Sequence, residues 1–244
     1  MNGTLFSVEA KSSLSLSEET FRHLAISRII FMILGHTFYI RISRKDIDMT
    51  NTSFYFSPSH TKSYSKFCRT LQNMIPTGGK RQIVFLCIGS DRATGDSLGP
   101  IVGQQLAWAL GHHEKAVVYG SLHQTVHAGN LAETLAKIHN RYHHPFIIAI
   151  DASLGIPEHI GYVTLGSGHL RPGIGVSHQL PEAGDIHITG IVNHSTGNNH
   201  LTLQTTKLFT VMELSGFIAN GILEALHVRP ALQRPQESHF VNIF

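Results

Sequence analysis

Apolar positions in the middle of the chain alternate between short continuous runs and stripes with helical spacing. The continuous runs are typical of strands that are covered on both faces, and they lie at 82–88, 116–119 and 146–150. Helical spacing predicts helices from about 97 to 110 and from about 130 to 143. Strands that alternate with helices in this way predict an α/β domain with a mostly parallel sheet and crossover connections.

Beyond residue 150 the pattern becomes richer in glycine. It predicts strands at 159–165 and 185–192, separated by a long loop that contains Arg171-Pro172-Gly173-Ile174-Gly175. Loops of this length often carry function. An apolar stripe from Leu208 to Ala225 predicts a closing helix, which Arg229-Pro230 ends.

The N-terminal part of the chain has weaker patterning. Apolar residues recur at three and four positions through 62–75 and predict an amphipathic helix, which Pro76-Thr77-Gly78-Gly79 ends. The segment before it supports at most one helix and perhaps a strand. We therefore predict an extension of uncertain structure at 1–48, a linker and amphipathic helix at 49–79, the α/β domain at 80–228 and a tail at 229–244.

Composition narrows the class of protein. The net charge is only +3 and no run of five or six like charges occurs, so we expect no nucleic-acid binding. The apolar run at 29–34 has basic residues on both sides, Arg28 and Arg41, and is too short for a membrane span. Two cysteines cannot build a disulfide framework. We expect a cytoplasmic protein without membrane contact, whose eighteen histidines make its surface charge sensitive to mildly acidic pH.

Aspartates follow two of the predicted strands at the edge where ligands of open α/β sheets bind. Asp96 stands at the start of the helix after the first strand, and Asp151 directly follows the strand at 146–150. Such a pair can hold a water for attack on a carbonyl or can ligate a divalent metal that activates the water. For Asp96 a helix N-cap is the structural alternative. Asp151 should be partly desolvated, which raises a carboxyl pKa.

Other chemistries lack their motifs. The glycines of the first loop, Gly89, Gly95 and Gly99, do not form G-x-G-x-x-G, and no G-x-x-x-x-G-K-[ST] is present. Gly95 and Gly99 are expected to permit the turn and close helix packing. No serine stands in a G-x-S-x-G elbow.

Three segments of the chain form a distinctive set: Thr94-Gly95-Asp96-Ser97-Leu98-Gly99-Pro100, Ile150-Asp151-Ala152-Ser153-Leu154-Gly155 and Gly184-Asp185-Ile186-His187-Ile188-Thr189-Gly190-Ile191-Val192-Asn193. In this order they resemble the spore protease YyaC family of endospore-forming bacteria. The first two are also similar, more distantly, to germination protease and to hydrogenase maturation endopeptidases. The resemblance implies a three-layer α/β/α sandwich and a peptidase site in which Asp96 and Asp151 act on a protein or peptide substrate in a sporulating cell or forespore.

Several points stay open on this reading. The hydrogenase maturation relatives imply a histidine as a third metal-site residue, for which His178 is the nearest candidate, and Asp91 is a further acidic candidate. The sequence leaves open whether the site binds a divalent metal and whether the chain forms a homo-oligomer. The alternative function is a non-catalytic sporulation protein that uses the peptidase fold as a binding module.

Overall fold

The computed structural model describes residues 28–33, 36–41, 53–76, 81–111, 113–172 and 180–228. The chain divides into two units, Met1–Asp48 and Met49–Phe244. In the first unit, β1 (Arg28–Ile33) and β2 (His36–Arg41) pair antiparallel as a hairpin. The sequence predicted at most one helix and perhaps a strand here, and two strands are found. The rest of the segment 1–48 lies outside the described residues.

A six-stranded mixed sheet forms the second unit, in the order β3-β7-β8-β6-β4-β5. Its strands are β3 (Ser53–Phe56), β4 (Ile83–Cys87), β5 (Ala116–Tyr119), β6 (Phe146–Gly155), β7 (Val163–Ser167) and β8 (Ile186–His194). The pairs β5-β4, β4-β6 and β6-β8 are parallel, whereas β7 runs antiparallel to both of its neighbours. The predicted α/β class with a mostly parallel sheet is thus confirmed.

Helices cover both faces of this sheet. They are α1 (Ser63–Met74), α2 (Leu98–Leu110), α3 (Leu131–Arg141), α4 (Asn199–Gln204) and α5 (Leu208–Ala225). Helices α1, α2 and α5 share one buried cluster with alternate strand residues such as Phe85 and Ile148. Helix α3 packs on the other face, against Leu86 and Ala149. The three-layer α/β/α arrangement follows from this alternation of buried strand residues.

The segment 49–79 contributes to both the sheet and the core. Strand β3 pairs with β7 at the sheet edge, and Phe67 and Leu71 of α1 are fully buried. The predicted helix at 62–75 is confirmed as α1, but β3 was not predicted because its four residues carry no period that distinguishes them from a linker.

Two predicted strand bounds are wrong. The strand predicted at 159–165 begins only at Val163, because Pro157 starts a 3₁₀ turn that reaches His159. The strand predicted to stop before Asp151 continues to Gly155, because β8 remains its hydrogen-bonded partner. The short helix α4 was not predicted.

Helix α5 is long and apolar enough to match a membrane span, with a mean hydropathy of 1.3 over its 18 residues, 56% buried within the domain. The side chains of Val211, Leu214, Ile218 and Ile222 are fully buried against the sheet and its neighbouring helices. The length and composition of α5 are therefore also those of a core helix.

Candidate active site

The point where the sheet reverses its order lies between β4 and β6. From β4 the chain crosses over through α2 to β5 at one edge, and from β6 it continues to β7 and β8 on the other side. Connections that leave in opposite directions open a crevice at the carboxyl ends of the two strands, which is where open α/β sheets bind ligands. Asp96 follows β4 and Asp151 belongs to β6, so both stand at this switch point.

Asp151 lies where β6 loses one of its two neighbours. The pairing of β4 with β6 ends at Cys87 and Ile150, followed by one further bond from Ile88 N–H to Ile150 O (2.7 Å). Asp151 is the next residue, and it is paired only with Thr189 of β8. Its side chain is 9% exposed. The extension of β6 therefore holds a buried carboxyl beside the gap that β4 leaves.

Asp96 lies in a 3₁₀ turn, Gly95–Ser97, directly before α2. It does not cap α2: the N-cap residue is Ser97, and no side-chain hydrogen bond caps that helix. Instead, Asp96 Oδ2 accepts a hydrogen bond from Ser90 N–H (2.7 Å), and the same N–H lies 3.2 Å from the main-chain oxygen of Asp96. The N-cap alternative is therefore wrong, and the half-buried carboxylate of Asp96 closes the loop that follows β4.

Glycines bring this loop against the strand end. Gly89 has φ +139°, and a Cβ there would lie 2.0 Å from the main-chain oxygen of Asp96. At Gly99 a Cβ would lie 2.0 Å from the main-chain oxygen of Ile88. No side chain fits at either position, so the close approach of α2 to the end of β4 depends on both glycines. Gly95, the other predicted loop glycine, faces Leu203 near α4.

The two carboxyl groups interact electrostatically. Burial, the largest cause, raises the pKa of Asp151 well above its ordinary value, and the nearby charge of Asp96 raises it further. A hydrogen bond from Ala152 N–H to Asp151 Oδ1 (2.8 Å) acts in the opposite direction. Asp151 therefore keeps its proton at a pH where an ordinary aspartate is ionised. Asp96 is the more exposed of the two groups, and it accepts the hydrogen bond from Ser90 N–H.

Hydroxyl groups extend the polar site across the sheet. Thr189 Oγ1 lies 2.7 Å from Thr164 Oγ1 and 3.1 Å from Ser153 Oγ. Thr189 is the register partner of Asp151, and Thr164 is the register partner of Thr189. We did not single out these hydroxyls from the sequence, although a period of two places Ser153 on the face of Asp151.

The two remaining predicted candidates are Asp91 and His178. Asp91 is exposed on the loop between β4 and Asp96. His178 lies outside the described residues. Within the described ranges, no group of three or more His, Cys, Asp or Glu side chains is arranged to hold a metal ion. Two carboxylates are a smaller set of protein ligands than structural zinc sites or calcium sites have.

The two cysteines are free and buried. Burial raises the pKa of Cys87, and it is also the main cause that raises the pKa of Cys68. A thiol that stays protonated is a poor nucleophile. Neither cysteine has the environment of a catalytic residue.

Fold and site together define a doubly wound α/β protein with two aspartates of unequal burial at its switch point. Residues 55–221 match the family model described as "Protein of unknown function (DUF1256)". The chain is 39% identical over 168 residues to "Uncharacterized protein YyaC" of Bacillus subtilis (strain 168), across 69% of this chain and 81% of the relative. The chain belongs to this YyaC family, as the three sequence segments indicated.

A solved structure with a similar fold is the [NiFe] hydrogenase maturation protease HycI from Thermococcus kodakarensis KOD1. The TM-score is 0.45 at 20% identity, over 65% of this chain and 99% of that chain.

Proposed function

We propose that this protein is an intracellular peptidase of spore-forming cells, which hydrolyses peptide bonds of a protein substrate with Asp96 and Asp151. The observation that carries the proposal is the position of two aspartates of unequal burial at the switch point of the sheet, where the charge of Asp96 adds to the burial that raises the pKa of Asp151. A buried carboxyl group that keeps its proton can act as the acid, and a more exposed carboxylate can act as the base. The sporulation setting comes from the resemblance of the three sequence segments.

The chemistry follows from the different surroundings of the two groups. Ionised Asp96 accepts a proton from a water molecule as the water oxygen bonds to the peptide carbonyl carbon. Protonated Asp151 donates its proton to the carbonyl oxygen, which becomes a hydroxyl in the tetrahedral intermediate. The C–N bond then breaks as Asp96 passes its proton to the leaving amine, and the hydroxyl proton returns to Asp151. Both carboxyls end in their starting states, with no metal in any step.

A time course with a protein extract from spores tests this function. Mass spectrometry would follow new peptide termini produced by the parent protein, with Asp96→Asn and Asp151→Asn as the variants. We expect new termini with the parent and none with either variant, because Asn has nearly the same size as Asp but cannot exchange the proton. A thermal melt must show that both variants are folded.

Two other outcomes would contradict the proposal. If both Asn variants process substrate at the parent rate, the aspartate pair is not catalytic. If the parent produces no new termini but retains an extract protein that both Asn variants release, the binding-module function takes its place. Repeating the parent reaction with a metal chelator tests the mechanism separately, since a mechanism without a metal predicts an unchanged cleavage rate.

A further inference from the structure

An open groove of about 510 Å³ adjoins the loop that carries Asp96. Asp91, Arg92, Thr94 and Ser97 line the polar end of this groove. Thr94 and Ser97 stand on either side of the Gly95-Asp96 pair in the sequence. The groove therefore shares its wall with the turn that positions one of the two proposed catalytic carboxylates. Its volume is within the range of about 300–1,000 Å³ that is usual for sites of small organic groups.

One face of α2 forms a long wall of the groove. Ile101, Gln104, Gln105 and Trp108 line it, and their spacing of three and four residues places them on a single stripe of the helix. Val102 and Leu106 are fully buried in the core. Helix α2 thus uses one stripe for the core and a second stripe, which is partly apolar, for the groove.

The opposite wall is also apolar. Leu208 and Met212, one turn apart at the start of α5, line it together with Leu122 from the loop after β5. Trp108 is 72% exposed and Leu208 is 59% exposed. Single exposed apolar residues are ordinary, but several that converge on one concavity indicate a binding surface.

We propose that this groove binds an apolar side chain of the protein substrate, close to the bond that is cleaved. The proposal rests on the peptidase function and adds the substrate class: an extended segment with Leu, Phe or a similar residue at that position. Continuity with the Asp96 turn supports this occupant. The amide groups of Gln104 and Gln105 supply donors and acceptors for the main chain of such a segment.

A second copy of the chain is the competing occupant. A stable interface between two copies commonly buries about 800 Å² on each partner over a broad, complementary surface. A concave groove that is bounded by two helices and a loop instead suits a narrow insert. We therefore assign the groove to substrate, and self-association becomes an outcome of the test.

Trp108 makes the binding measurable without catalysis, because it is the only tryptophan in the sequence. The probes are short blocked peptides of Gly, Ser and Ala with one central Leu or Phe, and matched peptides with Ser or Glu at that position. The full-length Asp151→Asn variant is titrated with each peptide. We expect a blue shift and saturation of Trp108 fluorescence with the Leu and Phe peptides only, because an apolar side chain would displace water from the indole.

Matched variants test the location of the site. Leu208→Ser, added to Asp151→Asn, should weaken binding of the Leu peptide by about tenfold, which is typical for the loss of apolar contacts in a pocket. Phe209→Ser is the control, because Phe209 is 75% exposed on the same turn of α5 but does not line the groove. Its affinity for the peptide should equal that of the Asp151→Asn parent. Both positions are exposed, so neither change removes a core contact.

Failure of this inference can be distinguished from failure of the peptidase function. Fluorescence that does not respond to the apolar peptides, or responds equally to the Ser and Glu peptides, overturns the groove assignment. So does sedimentation that shows a dimer in the parent and a monomer after Leu208→Ser. Selective peptide binding combined with no cleavage by the parent enzyme would support the groove and overturn hydrolysis. Cleavage that is unchanged by Leu208→Ser in the otherwise unaltered enzyme would support hydrolysis and overturn the groove assignment.

Discussion

The burial of Asp151 predicts a measurable dependence of stability on pH. We expect Asp151→Asn to be more stable than the parent near neutral pH, with a gain that disappears as the pH falls. An aspartate in the unfolded chain ionises near pH 4, whereas burial and then the charge of Asp96 raise the pKa of Asp151 in the folded protein. Between these two pKa values the folded chain holds a proton that the unfolded chain has released. The free energy of unfolding contributed by Asp151 therefore falls as the pH rises.

The size of the effect follows from proton linkage. One proton of difference changes the free energy of unfolding by about 1.4 kcal/mol for each pH unit. This slope should begin at about pH 4 and level off at the pKa of folded Asp151. Urea unfolding of the parent and of Asp151→Asn, at intervals from about pH 4 to 8, gives the difference directly, because contributions from other groups largely cancel. Asn retains the acceptor for Ala152 N–H, so the two proteins should be equally stable at the acidic end.

A second variant separates the two causes of the raised pKa. Since burial is the larger cause and the Asp96 charge the smaller, Asp96→Asn should shorten the pH range over which the destabilisation by Asp151 grows, and so reduce its final size without abolishing it. A stability difference between Asp151→Asn and the parent that is flat with pH would refute the assignment of Asp151 as a buried, desolvated carboxyl. A parent that becomes relatively more stable as the pH rises would show that Asp151 is ion-paired.

Three further predictions concern the rest of the chain. Gly99→Ala should destabilise the fold by roughly 1–3 kcal/mol in chemical denaturation, because its Cβ would lie 2.0 Å from Ile88 O. Gly216→Ala is the control: its Cβ would have open space around it, so it should be neutral or stabilise α5 by up to about 1 kcal/mol. Equal effects of the two changes would contradict the close packing of α2. Deleting residues 1–48 should preserve a single cooperative thermal transition, and its loss would show that folding depends on this segment. Electrophoretic mobility should change strongly between about pH 7.5 and 5.5, because histidines ordinarily titrate in this range; a flat profile would refute the prediction.

Strands that are buried on both faces were the most predictable part of the fold. The run at 82–88 contains β4, and the run at 146–150 is the buried first half of β6. Such strands are apolar throughout, so they can be recognised from the sequence even when their neighbours in the sheet are not known. Helix α5 was predictable for a similar reason, since its apolar stripe faces one continuous core.

Features that depend on a distant partner were not predictable. Strand β6 extends past Asp151 because it remains paired with β8 after its pairing with β4 has ended. No local sequence pattern indicates this. Strand β3 exists because β7 offers an edge. In the same way, the groove beside Asp96 is made by α2 and α5, whose lining residues are a hundred or more positions apart.

The candidate site was predictable in position and in the burial of Asp151. Sequence order and the rule for parallel sheets place Asp96 and Asp151 at one edge, and the apolar strand before Asp151 predicts its desolvation. That Ser90 N–H holds Asp96 in place of a helix cap was not predictable, because it depends on how the loop after β4 folds back. The difference in burial assigns the roles of acid and base in the proposed mechanism.

The most direct test of the aspartate pair is a double-mutant comparison of cleavage rates. The parent, Asp96→Asn, Asp151→Asn and the double Asn variant would be compared on one extract substrate identified by its new termini, with each protein shown to be folded. If the two carboxyls act as a unit, each single change abolishes cleavage and the double change is no worse than either. Single variants that cleave at the parent rate, or partial losses that multiply in the double variant, would contradict the account.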